Sequence, residues 1–115
     1  MTELVDYDFS WHDGVLVDLQ FSGFRGEPAE IRLTVDLYPD TDPQTERRRY
    51  LCVGKDLSRF FVKGDLPKLV DNAASGNIDW MRMDFTDTTE IVVLLLFGGM
   101  LEAEAAGFTM TELNS

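Results

Sequence analysis

Few residues in this chain have side chains that could do chemistry. The sequence contains one histidine, His12, and one cysteine, Cys52. A zinc site built from several cysteine and histidine ligands is therefore excluded, and we expect no metal ion and no cofactor. Cys52 lies between Leu51 and Val53, where a buried, inert thiol is expected rather than a nucleophile. We assign no catalytic residue, and this composition favours a protein that is not an enzyme.

The environment of His12 leaves two interpretations open. It stands between Trp11 and Asp13, just before an alternating apolar segment. It is either a structural histidine with a satisfied hydrogen bond or part of a ligand-binding or enzymatic pocket. For the second interpretation we predict a pocket lined by Trp11, His12 and Trp80.

Glycine-rich phosphate loops are not indicated. Gly98 and Gly99 precede a segment with a strand pattern rather than a helix, and Gly23 and Gly26 fall in the loop of an expected hairpin. A phosphate loop needs the amino end of a helix directly after its glycines. The sequence therefore gives no reason to expect a nucleotide.

Net charge is the compositional outlier. The chain carries 21 acidic and 10 basic residues, for a net charge of −11. All lysines and arginines lie between Arg25 and Arg82, so the acids of both ends have no basic residue in their own segments. Such a field repels nucleic acid and attracts a cationic partner, although solubility alone can also explain it. We predict a partner-binding acidic face that contains Asp13, Asp18, Glu102 and Glu104.

The sequence also bounds location and size. No apolar run approaches the roughly 18 residues that a membrane span needs. The first residues show neither the basic nor the apolar region of a signal peptide. We therefore expect a cytoplasmic protein without a membrane partner, folded as a single domain over residues 1–115, with residues 1–10 as an arm or short edge strand and residues 110–115 as a frayed tail.

The apolar run Ile91–Phe97 predicts a central strand with both faces covered. Gly98 and Gly99 predict a tight hairpin turn, after which Met100–Thr109 should return antiparallel. Three further strands are predicted from alternating patterns, Val15–Phe21, Ile31–Leu37 and Asn77–Phe85, and another strand is predicted over about Arg47–Val53. Asp13 and Gly14 predict a turn before the first of these.

Asp65–Gly76 predicts the one helix. Asp65 is a suitable N-cap, Pro67 fits the first turn and Gly76 can close the carboxyl end. An apolar stripe that can pack on a sheet is formed by Leu66, Leu69, Val70 and Ala73. The segment before the helix, Gly54–Lys63, is expected to be irregular and to place Phe60 and Phe61 in the core.

These elements predict an α+β fold. We expect an antiparallel sheet of about six strands, able to curl towards a sandwich, with one helix inserted between strands 3 and 4.

The order of motifs resembles a group of small bacterial proteins, some of which are immunity proteins of polymorphic-toxin systems. The resemblance rests on Trp11-His12-Asp13 before an alternating strand, Ile31–Val35, Gly76-Asn77-Ile78, and a threonine-rich entry to Ile91–Phe97. It implies a non-enzymatic protein-binding module of immunity or inhibitor type, whose partner is a basic, toxin-like protein. A small-ligand or enzymatic pocket and a homo-oligomeric structural protein, such as a homodimer, remain the alternatives.

Overall fold

A computed structural model describes residues 2–4, 9–39 and 46–113. Within them the chain forms antiparallel strands and one short helix. The elements are β1 (Thr2–Glu3), β2 (Phe9–Ser22), β3 (Glu30–Pro39), β4 (Arg48–Lys55), β5 (Arg59–Gly64), α1 (Leu66–Asp71), β6 (Ile78–Phe85), β7 (Glu90–Leu96), β8 (Gly99–Ala105) and β9 (Gly107–Glu112).

The strands make two sheets that share one core. The first sheet has the order β1-β9-β4-β3-β2, and the second has the order β5-β8-β7-β6. Buried side chains of both sheets form a continuous hydrophobic cluster, which includes Ile31 and Leu33 of β3 and Val92 and Leu94 of β7. The alternating pattern of β3 predicted its buried face, since Ile31, Leu33, Val35 and Leu37 are all fully buried.

The expected antiparallel sheet is confirmed, but the structure contains more strand than the α+β prediction of about six. Part of the difference arises at Ala106, where the predicted single strand Met100–Thr109 divides into β8 and β9. The chain turns there from the second sheet to the first, and Ala106 N donates to the Lys55 carbonyl oxygen at 2.8 Å. Beside this turn the chain also passes from β4 in the first sheet to β5 in the second. The connections β4–β5 and β8–β9 therefore cross between the sheets at the same place.

The prediction of an irregular segment over Gly54–Lys63 was wrong. β4 continues to Lys55, and β5 then pairs with β8 at the edge of the second sheet. Phe60 and Phe61 are both substantially exposed rather than buried in the core. Because β5 is an edge strand with every residue exposed, neither of its faces is fully covered.

Helix α1 is shorter than the predicted Asp65–Gly76 and comes after β5, a strand that the prediction lacked. Its N-cap was predicted correctly, because the Asp65 side chain accepts a hydrogen bond from Lys68 N. Its apolar stripe, however, is only partly packed: Leu69 is half-buried beside Gly64 of β5, whereas Leu66 is 70% exposed and Val70 is 64% exposed. No helix in the described part of the chain is long and apolar enough to cross a membrane.

The two ends of the described chain are held by the first sheet. β1 pairs with β9, and Leu4 is buried in the core, whereas residues 5–8 of the predicted arm lie outside the described residues. The prediction of a frayed tail was wrong for residues 110–112, because β9 extends to Glu112 and buries Met110. Residues 114 and 115 lie outside the described part.

Two predicted turns differ in detail. Asp13 and Gly14 do not end a strand; they form an irregularity within β2, where Asp13 has a φ of 65°. The β7–β8 turn consists of Phe97 and Gly98, with Gly98 at a φ of 116°. Gly99 is already in β8, and a Cβ atom there would lie 2.4 Å from the Lys63 carbonyl oxygen.

Candidate functional site

His12 lies where the start of β6 approaches β2. Its Nδ1 atom donates to the Asp79 carbonyl oxygen at 2.8 Å. The carboxylate of Asp13 lies 3.5 Å from Nε2, and that of Asp79 lies 3.7 Å from Nδ1. The imidazole is mostly exposed, with the Phe97 ring against it edge-on at 6.4 Å between centroids. His12 therefore has a satisfied hydrogen bond on one nitrogen and solvent access.

This environment predicts the titration of His12. The hydrogen bond to the Asp79 carbonyl raises its pKa above the ordinary 6.5, and the negative charges of Asp13 and Asp79 act in the same direction. A raised pKa in the folded state means that His12 contributes stability below the unfolded pKa and loses this contribution as pH rises through the folded pKa. We expect an imidazole NMR titration to have its midpoint above 6.5.

The Asp13→Asn variant provides the control for this titration. Asparagine tolerates the positive φ of residue 13 as well as aspartate does, while its neutral side chain removes one negative charge. The His12 midpoint should therefore fall in the variant. An unchanged midpoint would show that Asp13 does not influence His12.

The three residues predicted to line a pocket, Trp11, His12 and Trp80, lie in different environments. Trp11 is buried in the hydrophobic core, and its neighbour His12 is exposed. Trp80 is also exposed and follows Asp79, the residue whose carbonyl binds His12. The structure therefore brings His12 and Trp80 towards the same end of β6 and places Trp11 in the interior.

A larger apolar surface lies on the solvent-facing side of the second sheet. Strand register aligns Trp80 with Leu95 and Met100 in one row across the sheet. The next row aligns Val93 with Glu102 and Phe61. Side chains at paired positions of antiparallel strands share one face. We call this surface the aromatic face; it comprises Phe61, Trp80, Val93, Leu95 and Met100.

The aromatic face corrects the prediction that both faces of the central strand are covered. β7 is central, with β6 and β8 beside it, but neither sheet of the described residues packs on its outward side. Val93 is nevertheless only 3% exposed, while Trp80 is 47% exposed and Phe61 is 51% exposed. Val93 is paired directly with Arg82 of β6 and Glu102 of β8, so long charged side chains flank it, and the apolar surface is presented by the neighbouring row of Trp80, Leu95 and Met100.

Charged residues lie within and beside the aromatic face, since Glu102 is between Val93 and Phe61, and Arg82 is beside Val93. Arg59 binds Glu102 at 2.9 Å and Glu104 at 3.1 Å. Glu104 also accepts a hydrogen bond from Thr89 Oγ1 at 2.7 Å, and this bond, followed by that from Arg59, lowers its pKa. The guanidinium of Arg82 lies over the Trp80 ring, 5.7 Å from its centroid, and bonds to Asp84 at 3.0 Å.

The four acids predicted to bind a partner occupy three places. Glu102 and Glu104 lie at the aromatic face, where Arg59 pairs with both and offsets one of their two negative charges. Asp13 lies beside His12. Asp18 is exposed on β2 and lines a cavity of about 620 Å³ between β2, β5 and α1. Their role in partner binding stays a prediction.

Cys52 is fully buried, as the sequence indicated. Burial, followed by the charge of Glu90, raises the pKa of its thiol to about 12. A thiolate is therefore not available at neutral pH. The described residues contain no cluster of three or more side chains suited to hold a metal ion.

Sequence reasoning missed Phe61, Leu95 and Met100 as surface residues. One signal pointed to them: Asn77–Phe85 carries large apolar residues on both faces of its alternating pattern, which requires an apolar surface on each side of the sheet. Comparison with protein-family models, curated proteins and solved structures found no match to this chain.

Proposed function

We propose that this protein is a non-enzymatic binding module that recognises a positively charged protein through the aromatic face. The observation that carries the proposal is the apolar row of Trp80, Leu95 and Met100 on the outward side of the second sheet, extended on β5 by Phe61, with Trp80 and Phe61 both about half exposed. An apolar surface of this kind, bordered by charges, is typical of protein-binding sites rather than of an ordinary solvated sheet.

The composition of the aromatic face supports a protein partner. Protein interfaces combine an apolar centre with a polar rim and are enriched in aromatic residues, methionine and arginine. Trp80, Phe61 and Met100 provide the centre, and Arg82 and Arg59 belong to the rim. Tryptophan and arginine are also the residues that most often dominate binding energy.

The net charge of −11 indicates the sign of the partner. A strongly acidic protein attracts a basic one at long range and increases the rate of encounter. The rim acids are held in place by Arg59, so their orientation is set before a partner arrives. A basic toxin inhibited by this module is the partner class that agrees with the resemblance of the sequence to immunity proteins.

The test compares capture by three versions of the tagged protein. Wild type, the double variant Trp80→Ala with Phe61→Ala, and the control Phe24→Ala are each immobilised and offered cell lysate at about 50 mM and about 500 mM salt. Phe24 is 69% exposed but lies in the β2–β3 loop. We expect a basic protein to be retained by wild type and the control and lost by the double variant.

Truncation of a dominant interface residue costs about 2 kcal/mol or more, which is about 30-fold in affinity. Retention should also weaken at high salt because screening reduces charge attraction. Equal capture by all three versions would exclude the aromatic face. Self-association of wild type, seen by light scattering and abolished in the double variant, would instead identify a second copy of the chain as the occupant.

A further inference from the structure

The outer side of β6 is an open edge of the second sheet. β6 pairs with β7 on one side, and no other strand of the described chain pairs with it. β2 meets β6 near its start, where His12 binds the Asp79 carbonyl oxygen. From Trp80 to Phe85 the ladder with β7 has no irregularity. This stretch is therefore regular strand with one side left without a ladder among the described residues.

The direction of the backbone groups along β6 follows from two hydrogen bonds. Thr86 N donates to the Thr89 carbonyl oxygen at 2.9 Å, in the turn between β6 and β7. Successive residues of an antiparallel strand turn their N–H and C=O groups to opposite sides, so Thr86 and the even-numbered residues before it point towards β7. The Asp79 carbonyl, which binds His12 outside the ladder, agrees with this alternation. The residues whose backbone groups face the open side are thus Met81, Met83 and Phe85.

The other three edges of the described sheets carry features that hinder pairing with a further chain. β1 has only two residues, and β2 contains two irregularities in its register. β5 carries two cations, Arg59 and Lys63. Short strands, irregularities and charged side chains are the usual means by which edges avoid pairing. Between Trp80 and Phe85, β6 is regular, and its two charges have opposite signs.

The sequence of this stretch is complementary to itself in one antiparallel register. If two copies pair around Met83, Arg82 of each copy stands opposite Asp84 of the other, and Met81 stands opposite Phe85. Opposite charges across a pair of strands stabilise a sheet, and methionine packs favourably against an aromatic ring. In the single chain the Phe85 side chain is 56% exposed, while Arg82 and Asp84 are about half exposed and bond only weakly to each other across solvent. A second copy therefore covers the exposed ring and gives each charge a further partner.

Charge selects this register over its neighbours. Pairing around Arg82 would oppose two arginines, and pairing around Asp84 would oppose two aspartates, and like charges at opposite positions are destabilising. Pairing around Met81 would require the backbone of Asp79, whose carbonyl already binds His12. The register described above avoids these conflicts.

We propose that β6 binds β6 of a second copy of this chain in an antiparallel pair centred on Met83. The two four-stranded sheets then form one continuous sheet of eight strands. Because the two-fold axis is perpendicular to that sheet, both aromatic faces lie on the same side of it. The dimer does not depend on the proposed function of the aromatic face, but it would present two copies of that face side by side.

The test measures self-association of the untagged protein by analytical ultracentrifugation. An interface of five paired residues per copy is small and gives a weak complex, so the protein is studied from about 1 μM to about 300 μM. Two chains of net charge −11 repel each other at long range, and about 150 mM salt is present to screen this repulsion. We expect a reversible equilibrium between monomer and dimer. A wild type that stays monomeric over the whole range would overturn the proposal.

Charge reversal tests the register. Arg82→Glu and Asp84→Arg each place like charges opposite one another at two symmetry-related positions, so each should weaken dimerisation at least about 10-fold. An equimolar mixture of the two variants restores opposite charges at both positions and should associate about as strongly as wild type. Arg25→Glu, at an exposed position of the β2–β3 loop, makes the same change in net charge and should dimerise like wild type. A mixture that stays monomeric would overturn the register.

Backbone pairing is tested by Met83→Pro. Proline at this position removes an N–H that faces the open edge and takes no bond from the ladder with β7, so dimerisation should be lost while thermal unfolding stays cooperative. If this variant does not fold, the charge variants test the same pairing. A folded Met83→Pro variant that dimerises like wild type would contradict the proposal.

The variant that tests the aromatic face distinguishes the two proposals. Trp80→Ala with Phe61→Ala should lose the captured protein partner and remain a dimer, because neither side chain is needed for the pairs around Met83. Loss of self-association in this double variant, with dimerisation retained in Met83→Pro, would place the contact between copies on the aromatic face and overturn pairing through β6.

Discussion

Phe108→Ala is expected to destabilise the fold by about 3–5 kcal/mol, the usual cost of removing a fully buried phenylalanine ring. Phe108 is the first inward residue after the chain turns into the first sheet at Ala106, and it is almost completely buried. Its ring packs directly on Gly54, where a Cβ atom would lie 2.5 Å from Cε1. Gly54 has no side chain that could fill the space left by the ring.

The measurement is urea unfolding followed by circular dichroism. A loss of about 3–5 kcal/mol is a large part of the total stability of a domain of this size, so the unfolding midpoint should fall sharply with little change in slope. Phe24→Ala makes the same chemical change at an exposed position and should cost well under about 1 kcal/mol. Equal effects in the two variants would contradict the packing of Phe108 at the sheet junction.

Asn77 is the second residue whose replacement should have a large effect. It is nearly fully buried, and it joins three elements through its side-chain amide. Oδ1 accepts from Leu16 N at 2.8 Å, while Nδ2 donates to the carbonyl oxygens of Leu16, at 3.4 Å, and Leu69, at 3.3 Å. The amide thus connects β2 and the end of α1 to the start of β6.

Asn77→Ala should cost about 1–3 kcal/mol because the part-buried backbone N–H and carbonyl of Leu16 lose their side-chain partner. Asn77→Asp should cost more, since an ionised carboxylate would face two carbonyl oxygens without a proton to donate. Thermal unfolding of both variants measures the difference. Asn72→Ala, which removes a 2.9 Å hydrogen bond to the Lys68 carbonyl oxygen at the end of α1, is the control and should cost less than either variant. An Asn77→Asp variant as stable as wild type would contradict the role of the Asn77 amide in joining β2, α1 and β6.

Local patterns predicted the strands whose faces differ in polarity. The alternation in β3 identified its buried side correctly, because period-two alternation is a property of adjacent residues. β8 has the same relation between pattern and burial, since Leu101, Ala103 and Ala105 are buried and Glu102 and Glu104 are not. β5 was missed because Arg59–Gly64 contains large apolar residues at adjacent positions. That pattern has no single period. Because β5 is at the edge of its sheet, both its apolar and its charged residues remain exposed.

Contacts between distant segments could not be predicted from local patterns. Arg59 lies 43 residues from Glu102 and 45 from Glu104, so the pairing of these charges depends on the register between β5 and β8. The same is true of the aromatic face, which brings Phe61, Trp80 and Met100 together from three strands. The acidic face was predicted from the distribution of charge along the chain, which contains no information on these cross-strand pairings.

The cavity also depends on tertiary structure. The stripe formed by Leu66, Leu69 and Val70 was recognised as apolar and was expected to pack on a sheet. Because α1 ends at Asp71 and lies over the gap between two sheet edges, Leu66 and Val70 remain largely exposed instead. A helical apolar stripe predicts that a surface needs a partner, but it does not identify the partner.

The proposed use of the aromatic face is tested most directly by the indole N–H signals of the two tryptophans. Trp80→Phe assigns the signals in an NMR spectrum, and the partner retained by wild type at low salt is then titrated. We predict that the Trp80 signal shifts or broadens while that of Trp11, buried in the core, stays in place. An unperturbed Trp80 signal at saturating partner would contradict binding through the aromatic face.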